Sequence, residues 1–375
     1  MSDSGDDIRS GLRSGPLSHL RVIDLTRVRA GPTAVRHFAD WGADVIRCES
    51  PEGLPDDPLS TVRDNFDFQN LHRNKRSITL NLREADGLGV FYDLIKTADV
   101  FIENARPDVK NRLKIDYETL SALNPRLVYA SISGFGQSGP YANRAGYDQV
   151  AQGMGGFMSV TGEPDGTPMR AGTAIADLCS GYFAAMGIMT ALLARDKTGK
   201  GQYVCTSLLQ AQIAMMDFQA SRYLVTGDAP ERAGNDHPYL TPMGVYETLD
   251  GHINIAVATD AQWRALCGVL GDNDLGRDPR FEAIMGRIEN RDACKAAVMS
   301  LTRRFSSVTL IDRLNEAGVP AGHIYDMKGV FEDPQVKHLG MAADVAHKEL
   351  GDIKLVSQPI EMPGEVQEPY QGTPA

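Results

Sequence analysis

The chain has 375 residues, 42% of them hydrophobic and 23% charged, with a formal net charge of -11 at pH 7. That length can bury a large core and points to about two domains, while the acidic balance argues against a general nucleic-acid binder, which would carry a basic face. Five scattered cysteines (Cys48, Cys179, Cys205, Cys267 and Cys294) without CxxC spacing read as buried reduced thiols, not as a zinc site or a disulfide framework.

Residues 1–16, polar and rich in Gly and Ser, read as a loose arm without signal- or transit-peptide character, which suits a cytoplasmic protein. Residues 20–26 (LRVIDLT) predict a buried strand and RVRAGP a loop. Pro32 fits the first turn of a helix running to Trp41, and residues 43–49 make the next strand. This βαβ unit opens an α/β domain with a parallel sheet. Its first turn, with Gly31 as its single glycine, lacks the GxGxxG of dinucleotide sites. Strands over 77–81, 100–103, 127–133 and 203–207 continue the pattern, with a helix over 84–96 and a glycine-rich turn, GFGQSGPY, at 134–141. The apolar run 181–194 falls short of the ~20 residues that span a bilayer and reads as a core helix.

From residue 224 the character changes. A long loop leads to a hairpin over 245–258 turning at Asp250–Gly251, then to helices over 261–270 and 291–304. The expected division is an arm (1–16), a large α/β domain (17–223), a small α+β domain (224–330) and a tail (331–375).

Asp177 is the only charged side chain between Arg170 and Arg195, where a loop becomes the apolar helix. Burying a carboxylate is costly unless it is paired or used, so Asp177 reads as a helix N-cap or as a nucleophile held at a helix start, two compatible roles. Three basic groups follow early strands: Arg27 and Arg29; Arg73, Lys75 and Arg76; Arg106, Lys110 and Arg112. At the carboxyl ends of parallel strands they can meet around a polyphosphate, or remain solvated surface charge. The glycines of 133–140 and 151–156 offer backbone amides to an oxyanion. No HExxH, HxH or GxSxG is present, which argues against a metal and a serine triad. Among the histidines, His237 in GNDHP is the one placed for a ligand, while His37 and His72 pack or cap.

Several blocks in order carry a resemblance: RAGP (29–32), WGADVIRCESPEG (41–53), NKRSITLNL (74–82), ADVFIENARPDVKNRL (98–113), NPRLVYASISGFGQSGP (124–140), GYDQVAQGMGG (146–156) and AGVPAGHIYDMKGVFEDPQV (317–336). Together they resemble the class III coenzyme A transferases, the group of formyl-CoA transferase and carnitine CoA-transferase, whose fold α-methylacyl-CoA racemases share. The resemblance implies a Rossmann-like parallel-sheet large domain plus a smaller α+β domain, in an interlocked homodimer whose tail returns to the large domain. It puts Asp177 on the catalytic aspartate, with Val28, Arg29, Ala30, Lys75, Asn104, Arg112, Gly134 and Phe135 at the coenzyme A site. Arg29, Tyr147 and His237 fall near the substrate.

The implied activity moves CoA from an acyl-CoA thioester to a carboxylic acid through a mixed anhydride and an aspartyl-CoA thioester on Asp177. Coenzyme A is then a substrate, with no permanently bound cofactor, and the partners are an acyl-CoA, a small carboxylic acid and a second copy, without nucleic acid or membrane. An arginine fork at Arg29 suits the far carboxylate of a dicarboxylate such as succinate, or else a CoA phosphate.

Departures from the pattern are GNDHPYLTPMG (234–244) where formyl-CoA-type transferases carry a glycine run, Cys205 after GQYV, and Ala105 in ENARPD. The alternative is the racemase, which needs a second base, a His in a GHD segment. Gly146–Tyr147–Asp148 stands there instead, and Tyr is a poor base at neutral pH, so the transferase is favoured. Asp260 falls near a supporting racemase acid, or is a helix cap. A noncatalytic acyl-CoA-binding protein is the alternative from another class, and Asp177 with its basic loops speaks against it.

Overall fold

The computed structural model describes residues 14–51, 62–364 and 368–374, so most of the expected arm lies outside the described residues. The chain divides into two units, Met1–Phe157 with Arg170–Asp228 and Pro334–Ala375, and Met158–Met169 with Ala229–Asp333. In the first unit β1 (Arg21–Leu25), β2 (Asp44–Glu49), β3 (Arg76–Thr79), β4 (Val100–Glu103), β5 (Val128–Ser133) and β6 (Tyr203–Ser207) form one sheet, in the order β3-β2-β1-β4-β5-β6. Every neighbouring pair is parallel, with Val22 opposite both Val45 and Val100.

Alternate residues of these strands feed two cores, as the two-residue period of a strand requires. Val22, Val45, Val100, Ile102, Val128 and Ala130 pack with α1 (Ala30–Asp40) and α7 (Ile175–Thr198). Ile23, Ile46, Phe101 and Tyr129 pack on the other face with Phe91 and Ile95 of α3 (Ala85–Lys96) and Leu120 of α5 (Tyr117–Leu123). A sheet covered on both faces needs apolar residues at successive positions, which is why its central strands β1, β2, β4 and β5 read as apolar runs, while the edge strands β3 and β6 are only partly buried.

Helix α7 is longer than the apolar run in the sequence. It spans 24 residues, enough by length and composition to cross a membrane. Ala176, Ala184, Ile188 and Ala191 bury one face of it in the sheet-side core, while Tyr182, Met186 and Leu193 stay exposed. Gly181 lets α7 approach α1 closely: a Cβ there would stand 2.7 Å from the Ala30 carbonyl oxygen.

Further helices of this unit are α2 (Phe66–His72), α4 (Pro107–Arg112), α6 (Asp148–Met154), α8 (Leu208–Ala214) and α9 (Asp217–Thr226), none of which the sequence pattern singled out. The tail contributes a separate small sheet, β11-β10-β12 (Ala342–His347 is β10, Gly351–Val356 β11, Tyr370–Gln371 β12). Arg73 ties it down. Its guanidinium is fully buried, pairs with Asp40 at 2.8 Å, donates to the Val356 carbonyl and lies 4.3 Å from the centre of the Tyr370 ring.

The second unit has the antiparallel sheet β7-β8-β9 (Met243–Glu247, His252–Ala256, Ala321–His323) with α10 (Asp260–Leu270), α11 (Arg291–Thr302) and α12 (Ser307–Glu316) around Trp263, Phe281, Val298 and Leu310. It differs from the expected small domain in recruiting Met158–Met169 from the middle of the large one. The Gly162 carbonyl accepts from Gly234 N–H, and Arg232 donates to the carbonyls of Glu163, Pro164 and Gly166, which explains the recruitment.

Candidate active site

At the carboxyl ends of the parallel strands lies a cleft of about 890 Å³, a size suited to a large organic ligand. It is lined by Arg27–Ala30 after β1, Glu49 and Ser50 after β2, Leu80–Arg83 after β3, Asn104–Arg106 after β4, Ser133 and Gly134 after β5, and Leu208 after β6, with Tyr147 and Asp177. Of the residues singled out by sequence, Val28, Arg29, Ala30, Asn104, Arg112, Gly134, Tyr147 and Asp177 therefore meet around one cavity, whereas Lys75, Phe135 and His237 are not among its lining.

Asp177 stands in the first turn of α7, but it is not the cap. The N-cap position is Ala174, with no side-chain bond. Asp148 of α6 does the capping instead: its Oδ1 accepts from the backbone N–H of Ala176 at 2.9 Å and of Asp177 at 3.3 Å. Its Oδ2 accepts from Gln152 at 2.6 Å and lies 3.6 Å from Arg170. The amides of the helix start are thus satisfied by a second acid, and the Asp177 carboxylate accepts no hydrogen bond among the described residues. Burial pushes the Asp177 carboxyl up to about 7, the Asp148 charge pushes the same way, and the Arg29 guanidinium opposes both. The sequence offered Asp148 only as the neighbour of Tyr147; its role follows from two helix starts meeting, which spacing does not reveal.

The turn from β1 into α1 is locally strained. Val28 adopts φ 61°, a region costly for a β-branched residue, at the rim of the cleft. Asn104 holds this turn: its Oδ1 accepts from Arg27 N–H at 2.9 Å and its Nδ2 donates to the Arg27 carbonyl at 2.7 Å. Both ends of that amide are occupied by backbone, so Asn104 shapes the cleft wall by gripping the turn. Arg29 itself pairs with Asp67 at 2.7 Å. Across the cleft, Gly134 and Gly146 touch backbone to backbone, and a Cβ on Gly134 would stand 2.8 Å from the Gly146 Cα.

The middle basic cluster is a correction. Lys75 is wholly buried with its ammonium 2.9 Å from Asp24 and Arg73 pairs with Asp40, so both are neutralised inside the fold, while the exposed Arg76 pairs with the buried Asp44. Lys110 is also buried, donating to Gln137, Tyr203 and Ser131. Arg83, which the sequence reading passed over, joins Arg27, Arg29, Arg106 and Arg112 at the cleft. Its position just after a strand of the sheet was the available signal. Arg83 and Arg112 have no ion-pair partner among the described residues.

Phe135 packs edge-on to Tyr141. His237 belongs to the second unit, where its Nδ1 accepts from the backbone N–H of Tyr239 and Leu240 and so shapes its own loop. Asp260 is not the cap: Thr259 caps α10, and Asp260, its side chain partly exposed, pairs with the buried Arg287 at 2.9 Å. Burial raises the Cys179 thiol, which leaves it no nucleophile, and Cys205 is exposed where a buried thiol was expected.

A family model described as CoA-transferase family III matches residues 17–375. The chain belongs to that family. A succinate–glutarate CoA-transferase from Agrobacterium fabrum is 40% identical, over 93% of this chain and 90% of that protein. An acetyl-CoA:oxalate CoA-transferase from Acetobacter aceti is 38% identical over the same shares. A crystal structure of a CaiB/BaiF family protein from Brucella suis is 38% identical and superposes with a TM-score of 0.84 over 97% of each chain. This family III chain is thus an acyl-CoA:carboxylate CoA-transferase, and its parallel-sheet α/β fold is the one the sequence blocks implied.

Proposed function

We propose that Asp177 is the nucleophile of this transferase and that the enzyme exchanges CoA between short dicarboxylic acids. The carrying observation is a carboxylate at a helix start, free of hydrogen bonds among the described residues, inside a cleft edged by five arginines. A capped, hydrogen-bonded carboxylate is a poor nucleophile, and here Asp148 takes the capping bonds.

The chemistry balances in four steps. A carboxylate oxygen of Asp177 attacks the thioester carbonyl, the C–S bond breaks, and CoA leaves as thiolate from a mixed anhydride. The thiolate attacks the Asp177 carbonyl and expels the first acid, leaving an aspartyl-CoA thioester. The acceptor carboxylate then attacks that thioester, again releasing thiolate. Attack of the thiolate on the acceptor's acyl carbon finally forms the new acyl-CoA and returns Asp177 as carboxylate. Backbone amides of the glycine loop that begins at Gly134 are suited to the oxyanions of these steps.

Arg27, Arg83, Arg106 and Arg112 are the groups for the phosphates of CoA, with Val28, Ala30 and Gly134 against its uncharged parts. Arg29 is assigned to the distal carboxylate of a dicarboxylate. The relatives named as succinate–glutarate and succinyl-CoA:mesaconate CoA-transferases support that choice. Among the described residues no histidine lines the cleft, so the second base of a racemase has no candidate there.

The same reading takes CoA as a substrate with no permanent cofactor, and the working form as a homodimer of interlinked copies in the cytoplasm, apart from membranes and nucleic acid. Exposed Tyr182, Met186, Leu193, Leu224 and Val225 support the dimer, and five free cysteines support a reducing compartment.

Asp177→Ala tests the assignment: exchange of labelled succinate into acyl-CoA falls by at least about 10⁴-fold while acyl-CoA still binds. Retained exchange would remove Asp177 from the mechanism.

A further inference from the structure

Arg29 lines the cleft that contains Asp177, yet it is gripped by a residue that does not line it. Its Nη2 donates to Asp67 Oδ2 at 2.7 Å, and both side chains are 29% exposed. Asp67 is well anchored. It lies in the first turn of α2, its own N–H donates to Asn65 Oδ1 at 2.9 Å, and Phe68, Gln69 and Leu71 bury the helix that carries it.

The bond occupies one guanidinium nitrogen. Among the described residues, the other guanidinium N–H groups of Arg29 have no protein partner. A planar fork anchored at one corner holds its remaining donors in a fixed plane, so less side-chain entropy is lost when a carboxylate docks against them. A monocarboxylic acid has no group to put there. A dicarboxylic acid presents its second carboxylate, and the anchored fork accepts it in one orientation.

We propose that Asp67 is a positioning residue that sets specificity: it orients Arg29 toward the distal carboxylate of a dicarboxylic substrate. This rests on the dicarboxylate reading above. Asp67 touches no substrate and acts only through Arg29, so its effect falls on discrimination between acids.

Steady-state kinetics on the full-length enzyme, with one acyl-CoA donor and either succinate or butyrate as acceptor, tests it. Asp67→Ala raises KM for succinate about tenfold more than KM for butyrate. Asp67→Asn, which keeps an oxygen for the guanidinium to donate to, recovers most of the discrimination. Asp67→Ser, too short to reach Arg29, repeats the alanine result if that variant does not fold. The control is Arg29→Ala, which collapses the succinate-to-butyrate preference. If Arg29→Ala collapses it while Asp67→Ala leaves it unchanged, or shifts both KM values equally, the Asp67 role is overturned and the dicarboxylate reading stands. If Arg29→Ala leaves the preference unchanged, both are overturned.

Discussion

Asp177 titrates near neutrality, at about 7, and its reactive form is the ionised one. The pH profile of kcat/KM reports groups of the free enzyme, so activity climbs with pH through about 7 and levels above it. Asp148 raises this pKa and Arg29 lowers it, so Asp148→Asn moves the acid limb to lower pH and Arg29→Met moves it higher. A profile unmoved by either variant contradicts the electrostatic account. The same shift bears on stability. The folded pKa lies above the ordinary 3.8, so the contribution of this carboxyl is fully present below 3.8 and is lost as pH rises through about 7. Asp177→Asn, neutral throughout, is accordingly more stable than the wild type above pH 7 by about 1–3 kcal/mol. Denaturant melts at acid and alkaline pH measure the gap, which closes toward acid.

The helices α1 and α7 carry the two ends of the site, Arg29 before α1 and Asp177 in the first turn of α7, and they meet without side-chain padding at Gly181. Gly181→Ala forces them apart, costs about 1–3 kcal/mol by overpacking, and lowers kcat in step with the displaced nucleophile. Thermal denaturation and turnover of this one variant check both effects. Lys75→Met gives the complementary result. Breaking a wholly buried pair with Asp24 costs about 3–5 kcal/mol, whereas the residual folded enzyme keeps its KM for acyl-CoA. These elements also show where sequence reading succeeds and where it stops. The four central strands were legible as apolar runs because the sheet is covered on both faces there, the edge strands β3 and β6 being only partly buried, and the cleft was legible as loops following these strands. Short helices such as α2 and α4 left no periodic signal, since their type is fixed by packing more than by propensity. Lys75 looked like a ligand group because a basic residue in a loop carries no mark of the buried acid that neutralises it. Asp148 and Asp67 were invisible as partners for the same reason: the contacts that define them join residues 28 and 38 positions apart or more.

Over the whole molecule the net charge of -11 opposes an anionic substrate, and five arginines concentrate the opposite sign at one cleft. Local charge against an adverse field makes acyl-CoA binding salt-sensitive. Substituting Arg83 and Arg112 by Ala together raises KM for acyl-CoA about tenfold or more and flattens its salt dependence. An unchanged salt profile in the double variant contradicts this assignment. The exposed apolar side chains Leu193, Leu224 and Val225 bear on the proposed dimer, and sedimentation of a Leu193→Glu, Leu224→Glu variant, expected as a monomer, reads it directly. The central claim is that Asp177 forms covalent bonds to both acyl group and CoA. When the acceptor acid carries heavy oxygen in its carboxylate, the four-step exchange delivers one of those oxygens to Asp177 at each turnover. Mass spectrometry of the peptide containing Asp177 after multiple turnovers should find the label on that side chain. An unlabelled Asp177 after complete exchange would show that the acceptor never bonded to the enzyme, and would contradict the account.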